Sequence, residues 1–214
     1  MAYRYFTIFH ELAGCRLRSR QALRESRYSG MKVQKCNPEP VLECKFPLES
    51  ELTQASLPSA FFHDSYRVRL NQTNNSSSHM IELFFAVFGH HPWWIKLVLL
   101  SRSFVAKQFG LETPSVSDIL HSAVKPTYSI GDTIGPWPIF SKTTRELIVG
   151  RDNRHLDFRL SLLKRTIDQC EELVISTTCK VHNRFGKVYL FFVVPFHKWG
   201  VKTLIRRAVQ QQRL

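Results

Sequence analysis

The hydrophobic pattern changes its period several times along this chain, and each change marks an element. Ser65 to Leu70 alternates, with Tyr66, Val68 and Leu70 on one face and Arg67 and Arg69 on the other. This predicts a strand, ended by the polar run Asn71 to Ser78. Ile81, Phe84, Phe85 and Phe88 then recur at helical spacing up to Gly89. Pro92 suits the first turn of a second helix, with Trp94, Leu97, Val98, Ser101, Phe104, Val105 and Gln108 as its inner stripe and Gly110 as its stop. Leu83 to Leu100 is apolar, but Gly89, His90, His91, Pro92 and Lys96 inside it favour two short packed helices over a membrane span.

After a stretch punctuated by Pro and Gly, from Pro126 to Pro138, the period returns to two. Strands are predicted near Ile139 to Lys142, Glu146 to Gly150, Arg154 to Lys164 and Leu173 to Arg184, joined by short polar turns as an antiparallel meander. In the third of these, Leu156, Phe158, Leu160 and Leu162 face one way, and His155, Asp157, Arg159 and Ser161 the other. Asp152 and Asn153 suit the turn before it. The chain closes with a basic amphipathic helix over Lys187 to Gln211, with Leu190, Val194, Val201, Leu204 and Ala208 on one side and Lys198, Lys202 and Arg206 on another. Pro195 is expected to kink or divide it. One strand, two helices, several antiparallel strands and a long last helix predict an α+β fold in which a curved sheet wraps the C-terminal helix, the helix-grip order of START and Bet v 1-like domains.

A chain of 214 residues suits one domain. The first thirty residues hold six arginines and read as a disordered extension or a mis-assigned start, with Met31 as the expected initiator. Residues 31–56 then form an arm and 57–214 the domain. The formal net charge of +13 favours anionic partners. Much of it sits at the C-terminus, because Lys180 to Leu214 contains eight basic residues and no acidic one. The five cysteines form no CxxC pair and no zinc-ligand spacing, which predicts reduced thiols in a cytoplasm.

Five segments, Asp64-Ser65-Tyr66-Arg67-Val68, Gly131-Asp132-Thr133-Ile134-Gly135-Pro136, Gly150-Arg151-Asp152-Asn153-Arg154-His155-Leu156-Asp157-Phe158-Arg159, Val181-His182-Asn183-Arg184-Phe185-Gly186 and Pro195-Phe196-His197, occur in that order. Together they resemble an uncharacterised bacterial family, the domain of unknown function 2867 family, from about Leu57 to the end of the chain. The resemblance implies no established activity. It does imply a link to nucleotide-binding reductase-like domains, and because this chain has no GxGxxG after a strand, such a partner would be a separate protein.

Two sets of residues carry candidate chemistry. His155, Asp157 and Arg159 could form an acid–base cluster, with a carboxylate orienting the imidazole and the guanidinium holding an anion; alternation equally places them on a solvated strand face tied by cross-strand ion pairs. Trp94, Phe158, His182, Tyr189, Phe192 and His197 could line a cavity between the sheet and the last helix, although each aromatic singly fits an ordinary core. No cofactor is expected, and no metal, since neither His182 with His197 nor His90 with His91 has a third ligand at a suitable spacing. Lys198, Lys202, Arg206 and Arg207 could meet an anionic membrane, with Phe196 and Trp199 at the boundary. Nucleic acid is supported by charge alone, without a recognition motif. The leading expectation is a cytoplasmic domain that binds a small apolar or amphipathic ligand; the alternatives are an enzyme using polar residues in the same cavity and a peripheral membrane protein.

Overall fold

The computed structural model describes residues 40–71, 79–90, 125 and 127–214. Seven strands make one antiparallel sheet: β1 (Leu42–Glu43), β2 (Phe62–Arg69), β3 (Thr133–Ile134), β4 (Trp137–Lys142), β5 (Glu146–Asp152), β6 (Leu156–Ile167) and β7 (Cys170–Val181). They lie in the order β1-β2-β7-β6-β5-β4-β3. The helices are α1 (Glu51–Ala55), α2 (Met80–Phe88) and α3 (Arg184–Gln210). Cys36–Leu214 forms one compact unit, which therefore includes the described part of the arm.

Alternation decides which side of the sheet α3 covers. On the inner face, Tyr66, Val68, Leu147, Val149, Leu160, Leu162, Leu173 and Ile175 are buried together with Val201, Leu204, Ile205 and Ala208 of α3. Helix α2 closes one end of this core, where Phe84 and Phe88 meet the edge of Trp137 at ring distances of 5.8 and 6.0 Å. Such edge-on packing suits the ring quadrupoles. The resulting α+β arrangement is helix-grip-like, as the element order predicts.

The outer face is more enclosed than an alternating strand suggests. Ser65, Ser161, Ser176, Glu146 and Glu172 are all buried there. The arm accounts for part of this. Ser50 caps α1, accepting from Leu52 N at 3.1 Å and donating to Glu146 Oε1 at 2.5 Å, while Glu51 N donates to Glu146 Oε2 at 2.9 Å. Ser161 Oγ donates to the same carboxylate at 2.5 Å. Glu146 thus ties the arm to two strands, and its burial is offset by three donors.

Three expectations need correction. Helix α3 begins at Arg184 rather than Lys187, because Asn183 supplies an N-cap, its side chain accepting from Gly186 N. Pro195 does not divide the helix. The proline is exposed, and Leu190 before it and Val201 after it both pack inward, so the two halves bury one face against the sheet. Cys170 is disulfide-bonded, so the cysteines are not uniformly reduced thiols; the absence of a CxxC pair does not exclude a disulfide, because two cysteines meet through the fold and not through their spacing. The helix expected from Pro92 also lies outside the described residues.

Candidate functional site

The inner face has a polar interruption. Along β2 the side chains turned toward α3 are Phe62, Asp64, Tyr66 and Val68, and along β7 they are Cys179, Thr177, Ile175 and Leu173. Asp64 and Thr177 are cross-strand partners, so their side chains stand next to each other. His197, on the inward side of α3, brings its Nε2 within 3.5 Å of Asp64 Oδ1. These residues form a belt between two apolar clusters. One contains Tyr66, Leu160, Ile175, Val201 and Leu204; the other contains Leu156, Cys179 and Leu190, with Phe62 and Val194 against it. Phe158 touches both.

The belt is buried without being satisfied. Asp64 is only 4% exposed, and Asp64 Oδ1, Thr177 Oγ1 and His197 Nε2 are buried with no hydrogen-bond partner among the described residues. At 3.5 Å the Asp64–His197 contact is too long for a good hydrogen bond. Asp64 Oδ2 does accept, from the Tyr66 hydroxyl at 3.1 Å. Burial, and then the Asp64 charge, push the Tyr66 phenol well above its ordinary range, so it stays a neutral donor. The Phe62 ring stands edge-on to His197 at 5.8 Å, and Lys202 Nζ lies over the Tyr66 ring at 5.1 Å. Unpaired buried polar atoms cost about 1–3 kcal/mol each. Three in one layer are a marked local departure from the pairing found elsewhere in folded chains.

The second polar constellation is built differently. His155 Nδ1 and Asn183 Oδ1 are 3.2 Å apart, and Arg154 Nε donates to His155 Nε2 at 2.8 Å. With Nε2 accepting, Nδ1 carries the proton and faces the Asn183 amide, 3.2 Å from Oδ1, which accepts, and 2.9 Å from Nδ2. Asn183 Oδ1 also accepts from Gly186 N at 3.0 Å, and its Nδ2 donates to Arg154 O at 3.2 Å. His182 N donates to His155 O at 2.9 Å, and the Phe185 ring lies 4.8 Å from the His155 ring. Every polar group named here has a partner. The β5–β6 hairpin is thereby clasped to the start of α3.

Glycines make the clasp tight. A Cβ on Gly150 would lie 2.2 Å from Phe158 O, and one on Gly186 would lie 2.5 Å from His155 O. Both distances are well inside van der Waals contact. Asn153 closes the hairpin, its Oδ1 accepting from His155 N at 2.9 Å and Leu156 N at 3.0 Å, as expected for a turn.

His155, Asp157 and Arg159 do not converge. His155 belongs to the clasp. Asp157 lies 2.9 Å from His182 Nε2, and Arg159 pairs with Asp152 while lying over the Phe140 ring at 3.6 Å. Among the residues expected to line a cavity, His197 joins the belt, Phe158 borders it and Tyr189 packs against the smaller apolar cluster. His182 points outward to Asp157, and Phe192 is 64% exposed on the side of α3 away from the sheet. Trp94 lies outside the described residues. Lys198 Nζ is 5.9 Å from the Phe62 ring, Lys202 pairs with Glu43 at 3.2 Å, Arg206 is exposed and Arg207 is half-buried. No three potential metal ligands come together among the described residues.

Asp64, Tyr66 and Thr177 are absent from the sequence-based candidates, yet Asp64 left a signal. Extending the Tyr66–Val68–Leu70 alternation back by one step puts a carboxylate on the buried face.

Fold and site together define a helix-grip-like α+β domain with a polar belt beneath its last helix. The chain belongs to the family described as protein of unknown function (DUF2867), which it matches over residues 56–204. No curated protein and no solved structure matches it. Among the described residues, no helix is long and apolar enough to cross a membrane.

Proposed function

We propose that this domain binds a small amphipathic molecule between the sheet and α3, with the polar end of the ligand at the belt. One observation carries the reading: Asp64 Oδ1, Thr177 Oγ1 and His197 Nε2 share a layer and make no hydrogen bond among the described residues, Asp64 and His197 meeting only at 3.5 Å. A ligand hydroxyl or amine would donate to Asp64 and exchange hydrogen bonds with Thr177 and His197. Apolar groups on either side of the belt, Phe62, Phe158 and Leu160, suit a hydrocarbon body. A wholly apolar ligand would leave the belt unsatisfied, so the amphipathic class is favoured.

The test is native mass spectrometry of the full chain purified from its own host, followed by identification of whatever dissociates on unfolding. A stoichiometric amphiphile supports the reading, and its loss from Asp64→Leu with Thr177→Val locates it. A clean apo mass together with no uptake of hydroxylated or amine-bearing amphiphiles would overturn it.

A second reading, catalysis in the same place, is favoured by the approach of His197 to Asp64. Chemistry would then rest on these two groups, because His155, Asp157 and Arg159 are held by three separate sets of partners. The proposed setting is the cytoplasm. The Cys170 disulfide weighs against a reducing compartment, and alkylation of thiols during extraction discriminates. A reactive Cys170 supports the cytoplasm, and a protected one removes it.

A further inference from the structure

Helix α3 has a second apolar face. Leu190, Val201, Leu204 and Ala208 are buried against the sheet, whereas Phe191 is 76% exposed and Phe192, Phe196, Val188 and Trp199 all exceed half exposure. At about 100° per residue these five fall within an arc of about 140°, opposite the buried stripe. They extend along about 17 Å of the helix. Phe61, also more than half exposed, adds to the stripe near its start, where Lys187 Nζ lies 5.6 Å from the Phe61 ring. Phe191, Phe192 and Phe196 alone make a run of large exposed aromatic side chains, and such a run on a surface calls for a partner.

The charges around the row say which kind. Lys187, Lys198 and Lys202 follow one edge of the stripe, and Arg184 and Arg206 stand near its ends. Lys202 pairs with Glu43, but Arg184, Lys187, Lys198 and Arg206 form no ion pair among the described residues. No acidic residue follows Glu172 in the chain. We infer that the outward face of α3 seats the domain on an anionic lipid surface, with Phe191, Phe192 and Phe196 entering the headgroup boundary and the basic edge meeting lipid phosphates and carboxylates. Aromatic side chains on one face with lysines and arginines beside them is the pattern of a helix lying in the interface plane. The attraction is electrostatic complementarity with anionic lipid, which falls off within a Debye length. A second copy docked antiparallel on this face would set the lysine edge against itself, so self-association is the poorer fit. The inference stands on residues outside the belt and does not depend on what the belt binds.

Flotation of the full chain with phosphatidylcholine vesicles, with and without phosphatidylserine, tests it at low and high salt. Binding is expected only with phosphatidylserine and is expected to weaken as salt rises. Phe191→Ser with Phe196→Ser removes two headgroup-boundary side chains and is expected to lower the partition coefficient by about a hundredfold, taking about tenfold for each. Arg184→Gln with Lys187→Gln should instead reduce its salt dependence. All four positions are exposed or lie at the exposed edge, and an unchanged unfolding midpoint confirms the fold of each variant. No binding at low salt, equal binding to neutral vesicles, or binding indifferent to the phenylalanines overturns the inference. So does a concentration-dependent dimer that the phenylalanine variant abolishes without any vesicle binding, which would assign the face to a second copy.

Discussion

The belt and the clasp use similar residues to opposite ends. Each pairs a histidine with an Asx side chain, and each joins a strand of the sheet to α3. In the clasp, His155 and Asn183 are satisfied, and two glycines let backbone approach backbone. In the belt, Asp64 and His197 stop 3.5 Å apart, with buried atoms unpaired among the described residues. Composition therefore does not separate a structural cluster from a candidate site; satisfaction does. A cluster that closes its own hydrogen bonds has finished its work in folding, while one that leaves them open under burial retains a cost that a ligand could offset.

The clasp should break most severely. Gly150→Val puts a branched side chain where even a Cβ would lie 2.2 Å from Phe158 O, and backbone cannot yield as a side-chain tip can. A loss of about 3 kcal/mol is expected. Chemical denaturation measures it, and a midpoint within experimental error of the wild type would show that the hairpin is not held this tightly. Asn183→Ala removes the N-cap of α3 together with the donor to Arg154 O. It should cost about 1–2 kcal/mol by the same measurement.

The belt should respond with the opposite sign. Thr177→Val keeps the shape of the side chain and removes a buried hydroxyl that has no partner among the described residues. Stability is expected to hold or to rise by about 1 kcal/mol, while ligand uptake falls. A loss as large as that of Asn183→Ala would mean that Thr177 has a partner in solution, and the contrast between the two regions would collapse.

How much of this contrast the residues disclose depends on the distance over which each feature is encoded. The strands and α3 repeat a period over many positions, so Leu156 to Leu162 and Leu190 to Ala208 identify their own buried faces. The short β1 and β3, of two residues each, have no period to read. Alternation also predicts that the face carrying Ser161 is solvated, and it is not, since Ser50 and Glu51 of the arm reach Glu146 across about a hundred positions of chain. The belt is hidden for the same reason. His197 attracts attention as an imidazole, but its neighbour is 133 positions away, and only the phase of Asp64 on its strand hints at burial. The aromatics of α3 invite a cavity reading because period alone does not tell which of two apolar faces a helix turns inward. Both faces of α3 are apolar, and the sheet takes the one that also carries Leu204 and Ile205.

The smallest expected effect isolates the one satisfied bond of the belt. Tyr66→Phe removes the donor to Asp64 Oδ2 and should cost about 1 kcal/mol at neutral pH. Because burial and the Asp64 charge raise the phenol in the folded chain, the folded state keeps its proton above about pH 10, where the unfolded chain begins to lose it. The wild type binds more protons folded than unfolded in that range, so this contribution to stability is complete below about pH 10 and is lost as pH rises toward the folded value. Phenylalanine has no such proton. The stability gap between wild type and Tyr66→Phe should therefore narrow as pH climbs past about 10, read as converging denaturant midpoints. A constant gap across that range would mean that the phenol titrates alike folded and unfolded, and the belt would then be open to water rather than buried beneath α3.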